Sequence, residues 1–223
     1  MAADKNLVPQ QFGPLHEVRI ISSGTNIAQP FATELAAEMG AEVIHIEPPK
    51  LGDPYRRSGY EVAAADGSTV SANWVQERRN MLCVTLDPAA PRGRELMLRL
   101  LQRAEIWMES SGPGACEKIG LGDVDVLKAC PRLVIARVSG FGRDAGPGRA
   151  GDHDSIAQAF GGMMAHVGFP DPQPPVRAMP SIADYMTSLC ALWSSLAALV
   201  HARATGRSDG TGVPQLTVQR VWG

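Results

Sequence analysis

A lone acid, Asp184, stands in the segment Ile182-Ala183-Asp184-Tyr185, where a long apolar helix is expected to begin. A carboxylate is already ionised at neutral pH, so it can act as a nucleophile without a general base. A helix N-terminus adds unsatisfied backbone N–H groups and a favourable dipole for the anion. The same position also suits an aspartate that merely caps the helix. A second informative segment lies far upstream: Val18 to Glu47 reads as strand, turn, helix and strand, with a carboxylate at its tip.

The elements that must position these groups alternate. Val18 to Ser22 is a short β-rich run broken by Gly24-Thr25-Asn26. Pro30 suits the first turn of a helix, Phe31, Leu35, Ala36 and Met39 line one face, and Gly40 suits its C-terminal end. Val43 to Ile46 is a strand ending at Glu47, and a long loop with Pro48, Pro49, Gly52 and Pro54 follows. Strands are expected over 82–86, 106–108 and 133–139, and helices over 91–101, 124–129, 154–166 and 182–204. Strands alternating with helices imply an α/β fold, a Rossmann-like parallel sheet flanked by helices with right-handed crossovers. Ligands then bind beyond the C-terminal strand ends, which brings together the loops 24–29, 47–54 and 110–114.

Composition narrows the function. The 223 residues suffice for one good core, and a net charge of -2 argues against bulk attraction to nucleic acid. Cys83, Cys116, Cys130 and Cys190 occur singly, with no C-x-x-C spacing, so reduced thiols are expected rather than a metal or redox site. His16, His45, His166 and His201 show no ligand spacing. The N-terminal residues lack the apolar core of a signal peptide, and the run 189–200 is shorter than a bilayer needs, so a cytoplasmic protein is expected. Neither the dinucleotide Gly-x-Gly-x-x-Gly after the first strand nor a phosphate-loop lysine motif is present, which disfavours ordinary NAD and ATP enzymes.

A series of motifs, in order, resembles family III CoA-transferases, the CaiB/BaiF family. They are Phe12-Gly13-Pro14-Leu15, Ala28-Gln29-Pro30-Phe31-Ala32, 40–47 and Gly52-Asp53-Pro54-Tyr55-Arg56, then 131–136, Ser139-Gly140-Phe141-Gly142 and Ile156-Ala157-Gln158-Ala159-Phe160. Arg78-Arg79-Asn80 and Ala183-Asp184-Tyr185 make the likeness greatest to the L-carnitine CoA-transferase branch. The resemblance runs from about residue 12 to residue 206 and implies the N-terminal part of an interlocked-dimer fold. On this reading 1–206 belong to the large domain, 207–223 form a divergent tail that does not continue the expected strand, and the second, small domain is missing.

The resemblance further implies that Asp184 is the catalytic carboxylate. It would attack an acyl-CoA to give a mixed anhydride and CoA thiolate, and the thiolate would return to leave a thioester on Asp184. A free carboxylic acid, of carnitine type in that branch, would then receive CoA. Acyl-CoA is thus substrate, no metal is required, and the partner expected is a second copy of the chain. CoA phosphates need cations and backbone donors. Lys118, after the glycine loop 112–114, sits at the family's basic position; Arg78 and Arg79 are further candidates, with Ser111 and Gly112 offering backbone. Gln29 departs from the glycine that often precedes Pro30 in the family. Two other readings are carried: a racemase-type proton transfer using His153 with Asp184, and a non-catalytic remnant. Against the racemase, Tyr185-Met186-Thr187-Ser188 stands where racemases have glycines.

Overall fold

A computed structural model describes residues 12–142, 153–206, 208 and 215–219. Its sheet holds β1 (Arg19–Ser23), β2 (Glu42–Glu47), β5 (Met81–Thr85), β6 (Ile106–Glu109), β7 (Val134–Ser139) and β8 (Gln215–Gln219). The spatial order is β5-β2-β1-β6-β7-β8, and every pairing is parallel. The order reverses at β1, so the loop after β1 lies at the switch point where such sheets take ligands. A small antiparallel ribbon, β3 (Glu61–Ala63) with β4 (Thr69–Ser71), stands apart from the sheet.

Alternation along each strand builds two cores. Ile20, Val43, Ile106, Met108, Val134 and Ala136 face α1 (Pro30–Glu38) and α8 (Ile182–Thr205). Ile21, Ile46, Trp107 and Ile135 face the other way, onto α3 (Pro91–Leu101), α4 (Ala115–Lys118) and α5 (Asp123–Ala129). Gly40, at φ +96°, ends α1; a Cβ there would lie 1.4 Å from the Phe12 carbonyl oxygen, so only glycine allows this chain crossing. The 24 residues of α8 span about 36 Å. Ala183, Thr187, Ala191, Ser195, Ala198 and Ala202 form its buried seam, small enough for close approach to β7 and α1. By length and composition α8 would also cross a membrane, but here more than half of its most apolar window is buried inside the fold.

Three expectations are corrected. Regular structure does not end at Gly206: 215–219 pair with β7, in register from Ile135↔Gln215 to Ser139↔Gln219. The single helix over 154–166 is two, α6 (Asp154–Phe160) and α7 (Met163–His166), because Gly162 adopts φ 78°. The segment after Pro54 is not one loop; it contains the ribbon and α2 (Ala72–Glu77), whose N-cap Ser71 accepts the Trp74 N–H at 3.1 Å. A single turn, α4, follows the glycine loop 112–114.

Candidate active site

The C-terminal strand ends converge as expected. A cavity of about 190 Å³ is lined by 23–25, 47–49 and Ser111, with Ile119 and Leu121, so the three loops do meet. It also takes in 86–88, the turn after β5, which the strand-end rule covers but which carried no motif. Gly24 allows the closeness: a Cβ there would lie 2.2 Å from Gln29 Oε1 and 2.6 Å from Ser110 Oγ. Gln29 itself is fully buried and its amide donates to Ser22 Oγ at 3.2 Å.

Asp53 ties two of the loops together. Completely buried, it accepts from Arg78 Nη2 at 3.0 Å, Tyr55 N at 2.9 Å, Asn26 N at 3.3 Å and His45 Nε2 at 3.3 Å. Burial pushes its carboxyl up, yet the His45, Tyr55 and Arg78 contacts outweigh that and hold it at about 2. Burial lowers the His45 pKa. With Asp53 ionised and His45 neutral, Nε2 carries the proton and Nδ1 accepts from Ser22 Oγ at 3.0 Å. Serine, histidine and aspartate thus stand in line, but all three are 0% exposed. The array is a brace between β1, β2 and the loop, not a hydrolytic triad.

Asp184 lies in the first turn of α8 and is 8% exposed. It is not the cap. Ser181 occupies the N-cap and makes no side-chain capping bond. The free N–H groups of Ala183 and Asp184 go instead to Asp154 Oδ1, at 2.9 and 3.4 Å, from the first turn of α6. Ser188 Oγ reaches the Ala28 carbonyl at 2.8 Å, which seats this end of α8 on the loop after β1. That loop therefore lines the cavity at 23–25 and supports the Asp184 turn at Ala28.

The other site candidates separate into groups. Ser111 lines the cavity and donates its N–H to Glu109 Oε2 at 2.7 Å. Gly112 is exposed beside it, with nothing within 4 Å of where a Cβ would stand. Lys118, the last residue of α4, is exposed on the flank of this loop. Beneath the loop, Arg137 pairs with Glu109 at 2.8 Å and with Asp123 at 2.5 Å, and stacks on Trp107 at 4.6 Å. Arg78 is placed elsewhere: its side chain is 1% exposed and committed to Asp53 and to the carbonyls of Asn26 and Glu77. Arg79 lies on the surface, paired with Glu38 at 2.5 Å and Glu34 at 2.9 Å. Neither arginine lines the cavity. His153 is exposed as the N-cap of α6. Among the described residues no cluster of three or more His, Cys, Asp or Glu could hold a metal ion.

Sequence reasoning passed over Asp154, Glu77 and Arg137. Each acts through partners 14 to 108 residues away, and only the last carried a local signal, a charge inside an otherwise apolar strand.

An open parallel sheet with a cavity at its switch point and an acid in the first turn of its longest helix make this an α/β protein of the Rossmann-like kind. Residues 15–218 match the model of CoA-transferase family III, and the chain belongs to that family. The bile acid CoA-transferase BaiK of Clostridium scindens is 37% identical over 209 residues, covering 92% of this chain and 44% of BaiK. The L-carnitine CoA-transferase of Proteus mirabilis is 36% identical over 217 residues, covering 96% of this chain and 50% of that protein. The crystal structure of a CAIB/BAIF family protein from Brucella suis superposes with a TM-score of 0.83 at 26% identity, covering 93% of this chain and 53% of that one. The chain thus spans about half the length of the curated relatives it matches.

Proposed function

We propose that this chain carries the nucleophile and the CoA site of a CoA-transferase, and that Asp184 is the nucleophile. One observation carries the reading beyond family membership: Asp154 performs the capping that would otherwise explain Asp184. Asp184 is thus a buried acid in the first turn of α8, at the positive end of the helix dipole, whose capping is done by another residue. The Asp184 carboxylate attacks the acyl-CoA carbonyl, and the C–S bond breaks to give an aspartyl anhydride and CoA thiolate. The thiolate attacks the aspartyl carbonyl, releasing the donor acid and leaving an aspartyl thioester. The incoming carboxylate displaces thiolate from that thioester, and the thiolate takes the new acyl group while Asp184 is regenerated. Every step exchanges one carboxylate or thiolate for another, so no proton need move.

In this reading CoA lies along the strand ends. The walls formed by Pro48, Pro49, Leu86, Ile119 and Leu121 are apolar and suit a flat base. The 110–114 loop offers backbone N–H groups, and Lys118 a charge, to the phosphates. The thioester arm then crosses the loop after β1 toward Asp184. Arg78 is left as a structural cation for Asp53. Relatives of nearly equal identity are named for a bile acid and for L-carnitine, so likeness alone does not choose the acid; a carnitine-type acid remains the first to try. Incubation with acyl-CoA followed by hydroxylamine should leave a hydroxamate on Asp184, read by peptide mass spectrometry. A label on another carboxylate, with Asp184→Ala still active, would overturn the assignment.

A further inference from the structure

We infer that Glu77 is a positioning residue for Asp184, holding the first turn of α8 through the hydroxyl of Tyr185. The inference rests on Asp184 as nucleophile. Glu77 ends α2 and is 3% exposed. A carboxylate so buried needs strong donors. Its Oε1 accepts two phenols, Tyr55 at 2.9 Å and Tyr185 at 2.5 Å. Tyr55 belongs to the one-turn 3-10 helix Pro54–Arg57, next to Asp53. Tyr185 follows Asp184 directly in the chain. One oxygen atom therefore joins the loop after β2 to the turn that carries the nucleophile.

The Tyr185 ring is held at two points. Its hydroxyl goes to Glu77, and its face or edge meets Phe31 of α1 in a T-shaped contact, 4.8 Å between centroids and 81° between planes. A ring pinned at both ends fixes the backbone at 185, and with it the direction of the neighbouring Asp184 side chain. The opposite side of the same turn is held by Asp154 and by Ser188. Glu77 thus supplies a further anchor. At 2.5 Å the Tyr185 bond is the shorter of the two that Glu77 accepts, so this anchor is a tight one. Burial first, then Glu77, push the Tyr185 phenol above its ordinary range. Tyr185 therefore stays a donor at any working pH and serves geometry, not proton transfer. A nucleophile misplaced by a fraction of an ångström loses rate at saturation and leaves substrate affinity alone.

The test uses Glu77→Gln, Tyr185→Phe and the double variant. The readout is the rate of hydroxamate formation on Asp184 with acetyl-CoA, succinyl-CoA and L-carnitinyl-CoA as donors. Tyr185→Phe is expected to slow labelling at saturating donor by about tenfold with an unchanged half-saturating concentration, and Glu77→Gln, whose amide oxygen still accepts, to slow it less. The double variant is expected to be no slower than Tyr185→Phe alone, because Glu77→Gln only weakens the link that Tyr185→Phe removes. Tyr55→Phe, which removes the other donor, is expected to slow labelling less than Tyr185→Phe. Tyr185→Phe keeps the ring on Phe31 and so decides the question even if Glu77→Gln fails to fold. Wild-type labelling rates in Tyr185→Phe, effects that multiply in the double variant, or a change confined to half-saturation would each overturn the inference while Asp184 still takes the label. If no donor labels Asp184 in the wild-type protein, the nucleophile reading falls and this inference falls with it.

Discussion

Asparagine at position 53 would remove one charge from a site that no solvent reaches. Asp53 is the sole carboxylate within salt-bridge distance of the Arg78 guanidinium among the described residues, and the Arg78 side chain is only 1% exposed. The amide could still accept the Tyr55 and Asn26 N–H groups, but Arg78 would keep only two carbonyl partners. Orphaning one member of a buried pair costs about 3–5 kcal/mol. A second route gives a similar size: the Asp53 carboxyl is held at about 2 against an ordinary 3.8, a difference worth about 2.5 kcal/mol. The sign follows from the direction. A folded-state value below the unfolded one means that protons favour unfolding, so the contribution is whole above about pH 4 and is lost as pH falls through 2. Urea unfolding at pH 7 should show Asp53→Asn less stable by about 3 kcal/mol. The gap should narrow steadily as pH drops below 4. A variant within about 0.5 kcal/mol of wild type at pH 7, or a gap that does not change with acidification, would refute the view that this charge braces the loop.

Three further outcomes are expected. Asp154→Ala should cost about 1 kcal/mol or more through the lost cap of α8, and should slow hydroxamate formation at Asp184; unchanged stability and labelling would show that the cap carries nothing. Lys118→Ala should weaken CoA binding by about ten- to a hundredfold in calorimetry, the loss of one charge-assisted contact, with the wild-type affinity itself falling as salt rises; tight binding indifferent to Lys118 would mean that the phosphates lie elsewhere. Glu34 is fully buried, and burial followed by repulsion from Glu38 lifts its carboxyl to about 7, Arg79 notwithstanding. Its folded-state value exceeds the unfolded one, so its ionisation opposes folding from about pH 4.5 upward and fully so above 7. Glu34→Gln should therefore be the more stable protein at pH 8, by on the order of 1–2 kcal/mol, and lose that advantage at pH 4; equal melting at both pH values would contradict this.

Most of the sheet and its helices were legible because burial writes itself into the sequence. β1 and β7 are β-rich runs each followed directly by glycine, and α3 has its apolar stripe and a proline at its first position, so its limits agree with those expected. The ribbon β3–β4 escaped because its strands are three residues long and mostly exposed, and α2 because six residues are too few for a helical period to show. β8 escaped because an edge strand of five residues with polar alternation looks like tail. At the site, the position of Asp184 was legible but the capping of its helix by Asp154, 30 residues upstream, was not. Arg78 shows the converse. Two adjacent arginines look alike in sequence, yet one is sealed against Asp53 and the other lies on the surface with Glu34 and Glu38. Pairing at a distance, not residue type, decides which cation is available to a ligand.

The two faces of the sheet divide labour in a way that bears on how such a protein can change over generations. Asp184, Asp154 and the small-residue seam of α8 belong to one face, while Leu86, Ile119 and Leu121, which wall the cavity, belong to the other. Between them runs the short stretch 24–29, touching both. Substitutions in the cavity wall are thereby insulated from the acid-bearing turn, and ligand preference can drift while that turn stays fixed. The insulation ends at Gly24, where any side chain would meet Gln29 and Ser110 at once. A lineage that enlarges residue 24 must rebuild both loops together, so variation should pool in the walls and be nearly silent at this one hinge.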